Sequence, residues 1–189
     1  MEVFYATGNA KKFSEAREEI PSLRRLDIDL EEIQSDNPDK IVEQKAKKAM
    51  ESSNVAALIV DDVAVYLECF DYKLPGPLVK WFLKAIGSAG IYETARRFGR
   101  YKAIAECTLY YIDKYGNSSF FKGSVKGTIV ESLADSGDSW DSIFMPEGSD
   151  ITFADMSIPE KNKKSHRGIA LRKLRSYLDG IEKRQLHSS

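Results

Sequence analysis

The spacing of apolar residues along the chain switches between the two periods that distinguish strands from helices. In its first part it predicts, in order, a strand over 3–6, a helix over 10–20, a strand over 26–33, a helix over 37–52 and a strand over 55–60. The last of these is a continuous apolar run, which is typical of a strand covered on both faces. It stops at Asp61-Asp62, and alternating apolar positions over 63–69 then predict a further strand-like segment.

The second part of the chain combines helices with a predicted hairpin. Its spacing predicts, in order, a turn at 74–77, helices over 78–86 and 90–99, strands over 104–113 and 120–131, a loop over 133–151 and a helix over 165–183. The two strands are joined around Gly116-Asn117, which favours a hairpin. Because strands and helices alternate early and a hairpin follows, we expect an α/β fold with a mixed sheet.

Length and composition narrow the class of protein. The 189 residues are 42% apolar, so we expect one folded domain over 1–189, with room for two lobes. The 28 basic and 29 acidic residues give a net charge of −1, which argues against nucleic acid or an anionic membrane as partner. The sequence shows no apolar run near the roughly 18 residues of a membrane span and no signal-peptide pattern, so we expect a cytoplasmic protein. Two cysteines and two histidines provide neither a disulfide framework nor a histidine-rich metal site.

One lysine lies where the helix over 37–52 should be apolar. Lys45 is four residues from both Ile41 and Ala49, inside the apolar half of that helix. Such a lysine either snorkels to the surface or points along the sheet into a cleft, and the sequence leaves both alternatives open.

An arginine creates the same conflict in the last helix. Arg167 falls near the middle of its apolar stripe, with His166 beside it and Ser165 placed to cap the helix. The N–H groups and the positive end of the helix dipole gather at the same place, which favours an anion site. The alternative is capping together with a salt bridge to an acidic residue.

Two turns add candidate residues of complementary charge. Thr7-Gly8-Asn9 leads from a strand into a helix with Lys12 in its first turn, an arrangement that can cradle phosphate but is also common for conformational reasons alone. Asp61-Asp62 ends the most apolar strand, and Glu32 ends the strand before it. Carboxylates in this position suit Mg²⁺ held with waters and substrate phosphates, and a solvated turn is the alternative.

Taken together, these signals indicate a site for a phosphate chain and a hydrated divalent ion. The positive groups are Lys12, Lys45, Arg167 and Lys161, and the acids are Asp62 and Glu32. Stabilisation of charge by lysine, arginine and metal is what displacement at phosphorus needs most.

Four segments resemble the motifs of one family, the inosine triphosphate pyrophosphatases, also called the HAM1-like family. Residues 7–15 resemble its T-G-N-x-x-K-x-x-E motif, and residues 160–167 resemble E-K-N-x-x-S-H-R. Residues 152–156 are similar to T-[FY]-A-E-M, and 74–82 are similar to the family's P-G segment. The order of the motifs and the length of the chain agree from end to end.

The resemblance implies a fold, a reaction and a set of roles. The fold is two α/β lobes around an elongated mixed sheet, with the nucleotide in the central cleft, in a homodimer. The reaction is Mg²⁺-dependent hydrolysis of ITP, dITP and XTP, which are non-standard purine triphosphates, to the monophosphate and pyrophosphate, and its biological role is cleansing of the nucleotide pool. The implied substrate-binding residues are Thr7, Gly8, Asn9, Lys12, Lys45, Trp140, Asp141, Lys161, Ser165, His166 and Arg167. Glu32 and Asp62 are the implied metal ligands, and Asp62 with Lys45 the implied catalytic pair.

Three positions depart from the family pattern and leave alternatives open. Val63-Ala64 follow Asp62, where the family commonly has a hydroxyl residue, and Asp138 stands where the loop usually carries a second aromatic ring. A nucleotide-binding module with weak or lost hydrolysis is therefore one alternative, and an enzyme for a different modified nucleotide is another. Base preference and any contact of Asp61 with the metal also stay open.

Overall fold

The computed structural model describes residues 2–28, 30–132 and 139–186, with side chains to residue 184. The strands are β1 (Phe4–Ala6), β2 (Arg24–Leu26), β3 (Ala57–Leu67), β4 (Pro75–Gly76), β5 (Lys102–Asp113), β6 (Ser118–Ile129) and β7 (Phe144–Pro146). The helices are α1 (Ala10–Glu19), α2 (Pro38–Glu51), α3 (Val79–Phe98), α4 (Ile158–Lys164) and α5 (His166–Leu186). Short 3₁₀ turns cover Glu68–Phe70, Trp140–Ile143 and Phe153–Asp155.

All seven strands belong to one mixed sheet, in the order β2-β1-β3-β5-β6-β7 with β4 paired to β3. β1 is parallel to both of its neighbours, β2 and β3, and the remaining pairs are antiparallel. The parallel pairs arise because helices connect these strands, whereas a tight turn joins β5 to β6. This architecture confirms the predicted α/β fold.

The central strand β3 is covered on both faces, and its alternating side chains enter two different cores. Ala57 and Ile59 pack with α1 and α5, whereas Leu58 and Val60 pack with α2. Because side chains along a strand alternate between faces, Asp61 lies on the α5 side and Asp62 on the α2 side. A third core lies under α3.

Helix boundaries follow the predicted capping residues. Asn9 caps α1 by accepting from the N–H groups of Lys11 and Lys12, and Asn37 caps α2. Ser165 Oγ accepts from the Gly168 N–H in the first turn of α5, as its predicted capping role requires.

Three predicted boundaries were wrong. The strand expected over 26–33 is β2, which ends at Leu26, and the described residues of 27–36 form no helix or strand. The strand expected to stop at Asp61-Asp62 continues through both residues to Leu67, because cations from other elements neutralise the buried carboxylate of Asp61. The loop expected over 133–151 contains β7. By contrast, the two helices expected over 78–86 and 90–99 correspond to the two parts of α3, which the non-helical residue Gly87 separates.

None of the helices in the described part of the chain is both long and apolar enough to cross a bilayer.

Candidate active site

A cavity of about 750 Å³ opens between the β1–α1 turn, the segment before α2, strand β3 and the start of α3. Eight predicted site residues line it: Thr7, Gly8, Asn9, Lys12, Glu32, Lys45, Asp62 and Trp140. Lys80 and Lys84 from α3 add two positive charges to the wall. With Glu31 as a further lining residue, the cavity therefore combines four lysines with three acidic residues.

A smaller pocket of about 130 Å³ adjoins this cavity. Asn9, Lys12, Val63 and Trp140 line both spaces. The remaining predicted residues of the smaller pocket are Asp141, Lys161, His166 and Arg167. Ser165 lines neither space; it is fully buried and holds the start of α5. The loop position at Asp138 lies outside the described residues.

Hydrogen bonds between side chains and backbone groups fix the turn between β1 and α1. Thr7 Oγ1 accepts from the Asn9 N–H, and the Arg25 guanidinium donates to the carbonyl groups of Thr7 and Gly8. Because Asn9 already satisfies the N–H groups of Lys11 and Lys12, the turn is rigid before any ligand binds.

Asp61 is the anionic centre that gathers the basic side chains on the α5 face. It is 1% exposed, and its carboxylate lies 3.0 Å from Lys12 Nζ and 3.1 Å from Arg167 Nη2. Burial alone would raise the pKa of Asp61, but the charges of Lys12, Arg167 and Lys45 hold it well below its usual value. Asp61 is therefore ionised throughout the physiological range.

Glu15 is a second buried carboxylate beneath the smaller pocket. Its Oε1 lies 2.8 Å from Lys161 Nζ, and its Oε2 accepts from Arg167 Nη1. Burial opposes ionisation, but Arg167 and Lys161 lower the pKa of Glu15. Lys161 also lies 2.6 Å from Asp141 Oδ2, so the wall of the pocket is a continuous chain of ion pairs.

Lys45 does not snorkel to the surface. Its Nζ donates to Glu32 Oε1 and, at 3.2 Å, to the carbonyl oxygen of Asp61. Burial would lower the pKa of Lys45, but the charges of Asp61 and Glu32 raise it. Lys45 therefore stays charged in the cavity and ties α2 to the Glu32 segment.

Arg167 combines both alternatives that its position left open. It forms salt bridges to Glu15 and Asp61, and it also lines the smaller pocket. The five N–H donors of a guanidinium form a planar fork, so Arg167 can pair with two carboxylates and still donate a hydrogen bond to a third group.

Asp62 differs from the paired carboxylates around it. Among the described residues no hydrogen-bond partner reaches its buried Oδ2 atom. Burial raises the pKa of Asp62 to about 7, and the charge of Asp61 adds to this, although Lys12 opposes it. Because Asp62 lines the cavity and has one oxygen without a partner, its carboxyl group can accept a cation or a water molecule there.

His166 is similarly isolated in the smaller pocket. It is 1% exposed, and neither ring nitrogen has a partner among the described residues. Burial, together with the charges of Arg167 and Lys161, lowers its pKa well below the usual value, so the ring is neutral. Its ring centroid lies 5.3 Å from that of Trp140 and 5.8 Å from that of Phe153. In a neutral ring one nitrogen donates and the other accepts, so His166 has one unused donor and one unused acceptor.

The donor set fits a hydrated divalent ion better than a protein-enclosed one. In residues 2–28, 30–132 and 139–186, no cluster of three or more His, Cys, Asp or Glu side chains could hold a metal alone. Asp62 and Glu32 face one cavity, and the free Asp62 Oδ2 can take a ligand without breaking an ion pair. Mg²⁺ commonly uses one or two carboxylates and completes its shell with waters and phosphate oxygens.

Sequence reasoning missed the residues that organise the site. Glu15 received no role and Asp61 only an open question about metal contact, although each pairs with two predicted cations, and the cavity residue Lys80 was not predicted. A signal for Glu15 exists, because it is adjacent to the apolar stripe of α1 and three residues beyond Lys12. For Asp61 no such signal exists, since its partners come from α1 and α5.

Comparison with known proteins identifies the family of the chain. The sequence profile of the Ham1 family matches residues 3–177. An inosine triphosphate pyrophosphatase of Phaeosphaeria nodorum is 36% identical, over 92% of each chain. A dITP/XTP pyrophosphatase of Methanopyrus kandleri is 34% identical, over 90% of this chain and 93% of the other. The structure of a HAM1 protein from Coxiella burnetii shares the fold with a TM-score of 0.79, at 21% identity over 95% of this chain and 99% of the other. The chain therefore belongs to the Ham1 family.

Proposed function

We propose that the protein hydrolyses the triphosphates of non-standard purines, namely ITP, dITP and XTP, to the nucleoside monophosphate and pyrophosphate. The observation that carries this proposal is the junction of two unlike spaces: a large cavity rich in lysine, and a small pocket where the rings of Trp140 and His166 meet a chain of ion pairs. A nucleotide has the same division into a polyanionic chain and a flat base. The relatives named above are pyrophosphatases, which supports the same reaction class.

The phosphate chain is assigned to the larger cavity. Thr7, Gly8 and Asn9 present a rigid turn at the start of α1, and Lys12, Lys45 and Lys80 line the same space. Lys12 and Lys45 are each held by a carboxylate, so their positions are fixed before substrate binds. Preorganised cations stabilise charge that develops on phosphate oxygens without the cost of rearrangement.

The base is assigned to the smaller pocket. Lys161 and Arg167 are both hydrogen-bond donors only, and neutral His166 offers one donor and one acceptor. Such a pocket favours carbonyl oxygens on the purine ring, as in hypoxanthine and xanthine, over the amino groups of adenine and guanine. Trp140 supplies an apolar ring surface at the pocket wall.

We assign Mg²⁺ to Glu32 and Asp62, where it would neutralise phosphate oxygens and polarise the phosphorus centre when bound. Asp62 also holds the attacking water, because its carboxyl group lines the cavity and its Oδ2 has no other partner among the described residues. Lys45 keeps Glu32 in place. Pyrophosphate as product requires attack at the α-phosphorus, which is the phosphorus atom nearest to the nucleoside and hence to the smaller pocket.

The test measures pyrophosphate and orthophosphate separately with ITP, dITP, XTP, ATP and GTP, each with and without Mg²⁺. We expect pyrophosphate from the first three at rates at least tenfold above ATP and GTP, and none in excess chelator. Orthophosphate as the main product, or no turnover of any of the five, would contradict the proposal.

One departure from the family pattern favours a second candidate, a nucleotide-binding module with weak hydrolysis. Val63 lines both spaces next to Asp62 and offers no hydroxyl group there. Tight binding of ITP by calorimetry without turnover would support this candidate, and rapid turnover would exclude it. A wider panel of modified nucleotides separates the remaining alternative, an enzyme for a different damaged base.

We further propose that residues 1–189 form one domain of two lobes, which acts as a cytoplasmic homodimer in cleansing the nucleotide pool. The homodimer is what the resemblance to the family implies. Light scattering coupled to size exclusion is expected to give twice the 21.3 kDa mass of the chain, and the mass of a single chain would contradict it.

A further inference from the structure

Gly123 lies where the first turn of α5 meets the sheet. A Cβ atom built on Gly123 would lie 2.0 Å from the carbonyl oxygen of His166, 2.9 Å from the Ala170 nitrogen and 2.9 Å from the Ile169 Cβ. Real Cβ atoms essentially never approach another heavy atom within 3.0 Å. Any side chain at this position would therefore push α5 away by about 1 Å or more.

The backbone conformation of β6 does not itself require glycine here. Gly123 is paired with Cys107 in a regular antiparallel register, and its φ lies outside the left-handed region. Glycine inside a strand weakens it and marks close approach of another backbone. The absence of a side chain at Gly123 therefore serves the position of α5 rather than the fold of the strand.

The first turn of α5 is also the wall of the smaller pocket. His166 and Arg167 both line that pocket, and the contact with Gly123 is made by the carbonyl group of His166 itself. Arg167 is held at 3.1 Å from Asp61 and is also paired with Glu15. A retreat of 1 Å would stretch these bonds beyond good hydrogen-bond length and move both pocket residues together.

A second glycine fixes the same turn from the opposite side. A Cβ atom on Gly168 would lie 1.8 Å from the carbonyl oxygen of Asn162, in α4. Asn162 in turn donates to the Glu15 carbonyl oxygen at 2.7 Å, so α4, α5 and α1 are joined at this point. The turn is thus confined between β6 and α4 by two positions without side chains.

We propose that Gly123 and Gly168 are positioning residues of the smaller pocket: by admitting the backbone of α5 to close contact, they set the depth at which His166 and Arg167 meet the purine base. This inference rests on the proposed function, since it takes the smaller pocket as the base site. Misplacement of a binding group by about 1 Å can reduce a rate on the order of 100-fold.

The test uses Gly123→Ala and two separate readouts. One is kcat/KM for ITP with pyrophosphate detection, and the other is the dissociation constant of magnesium tripolyphosphate, which contains no base, measured by calorimetry. We expect kcat/KM for ITP to fall 10- to 100-fold and the tripolyphosphate constant to change less than threefold. Equal losses in both readouts, or wild-type kinetics in the folded variant, would overturn the inference.

Gly90→Ala is the matched control for general damage. Its Cβ would lie 2.6 Å from the Ile86 Cβ within α3, and Gly90 lines neither space. We expect this variant to lose stability but to keep kcat/KM for ITP within threefold of wild type. A loss of ITP turnover in Gly90→Ala equal to that in Gly123→Ala would show that packing damage alone explains the effect.

If Gly123→Ala does not fold, Gly168→Ala carries the same comparison. Alanine adds about 1 kcal/mol of helix propensity at that position, which offsets part of the clash, and α4 is short enough to yield. We again expect a loss in kcat/KM for ITP without a matching change in the dissociation constant of magnesium tripolyphosphate. Equal changes in the two quantities, or none in either, would overturn the inference. If wild-type protein releases no pyrophosphate from ITP, the proposed function fails, and the positioning role is then tested by ITP binding in calorimetry with the same variants.

Discussion

Asp61 and Asp62 are neighbours in one strand, yet the two faces of β3 give them opposite environments. On the α5 face Asp61 is paired with Lys12 and Arg167, and its pKa lies well below the usual value. On the α2 face Asp62 keeps an oxygen without a partner among the described residues, and burial raises its pKa to about 7. One carboxylate is committed to structure, and the other is available for chemistry. The difference shows that the role of an acid in this site is set by which cations reach it.

Removal of the available carboxylate is expected to give the largest effect on activity. Asp62→Asn deletes the charge that we assign to Mg²⁺ and the attacking water, so kcat/KM for ITP should fall about 1,000-fold. Because the folded protein raises the pKa of Asp62, the wild type loses stability as pH rises toward and through about 7, whereas asparagine stays neutral.

The metal-free Asp62→Asn variant should therefore be more stable than wild type at pH 8, by on the order of 2 kcal/mol, and about equal at pH 4. Urea unfolding in chelator at both pH values measures this difference. A variant that is active, or that is less stable than wild type at pH 8, would contradict the assignment of the two aspartates.

Removal of the Asp61 carboxylate, which is paired with cations, is expected to reduce folding stability. Asp61→Asn leaves Lys12 and Arg167 with one partner fewer in a buried setting, which should reduce the free energy of unfolding by about 3 kcal/mol. Urea unfolding at pH 7 measures the loss. Glu93→Gln, which breaks an exposed pair with Arg96 on α3, serves as the control and should leave the midpoint unchanged. Equal midpoints for the two variants would contradict the structural role of Asp61.

Lys45 connects the two aspartates, because it donates to the backbone carbonyl of Asp61 and lines the same large cavity as Asp62. Lys45→Met keeps the apolar stem but removes the charge that holds Glu32, so kcat/KM for ITP should fall about 50-fold. Lys47→Met on the same helix replaces an exposed lysine that lines neither space, and it should stay within threefold of wild type. Similar losses in both variants would assign the effect to α2 packing.

The smallest effect that we expect is a loss of folding stability at acidic pH, caused by Glu15 on the α5 face of the sheet. Ion pairs to Arg167 and Lys161 lower the pKa of Glu15 in the folded protein, although burial opposes this. Its stabilisation is therefore complete above the unfolded pKa of about 4.3 and is lost as pH falls below that value. Between pH 7 and pH 3, the free energy of unfolding from thermal denaturation should fall by about 1 kcal/mol more in wild type than in Glu15→Gln. Parallel curves would show that Glu15 does not contribute through its charge.

Local rules in the sequence predicted much of this site. The conflict between helical spacing and charge identified Lys45 and Arg167, because a 3.6-residue period shows which face of a helix is buried. The capping rule placed Ser165 at the start of the last helix, where its Oγ accepts from the Gly168 N–H, and the predicted starts of α1 and α2 lie within a residue of the observed ones. These signals lie within one element, so neighbouring residues are enough to find them.

Pairings between distant elements could not be predicted in the same way. β3 continues through Asp61-Asp62 because Lys12 and Arg167 reach Asp61 from α1 and α5, 49 and 106 residues away along the chain. Glu32 was placed at a strand end on the basis of alternation, but it lies in an irregular segment held by Lys45. In both cases tertiary ion pairs override a local pattern.

The two-sided character of β3 also restricts how its sequence can change. Deletion or insertion of a single residue before Asp61 would exchange the faces of the two aspartates and every side chain after them, even if the strand still paired with β5. The carboxylate that we assign to Mg²⁺ and the attacking water would then face the ion pairs, and the structural carboxylate would face the cavity. Point substitutions can be absorbed one face at a time, but a change in length inside β3 alters both faces at once. We therefore expect functional descendants of this chain to vary in the length of their loops and to keep the length of this strand.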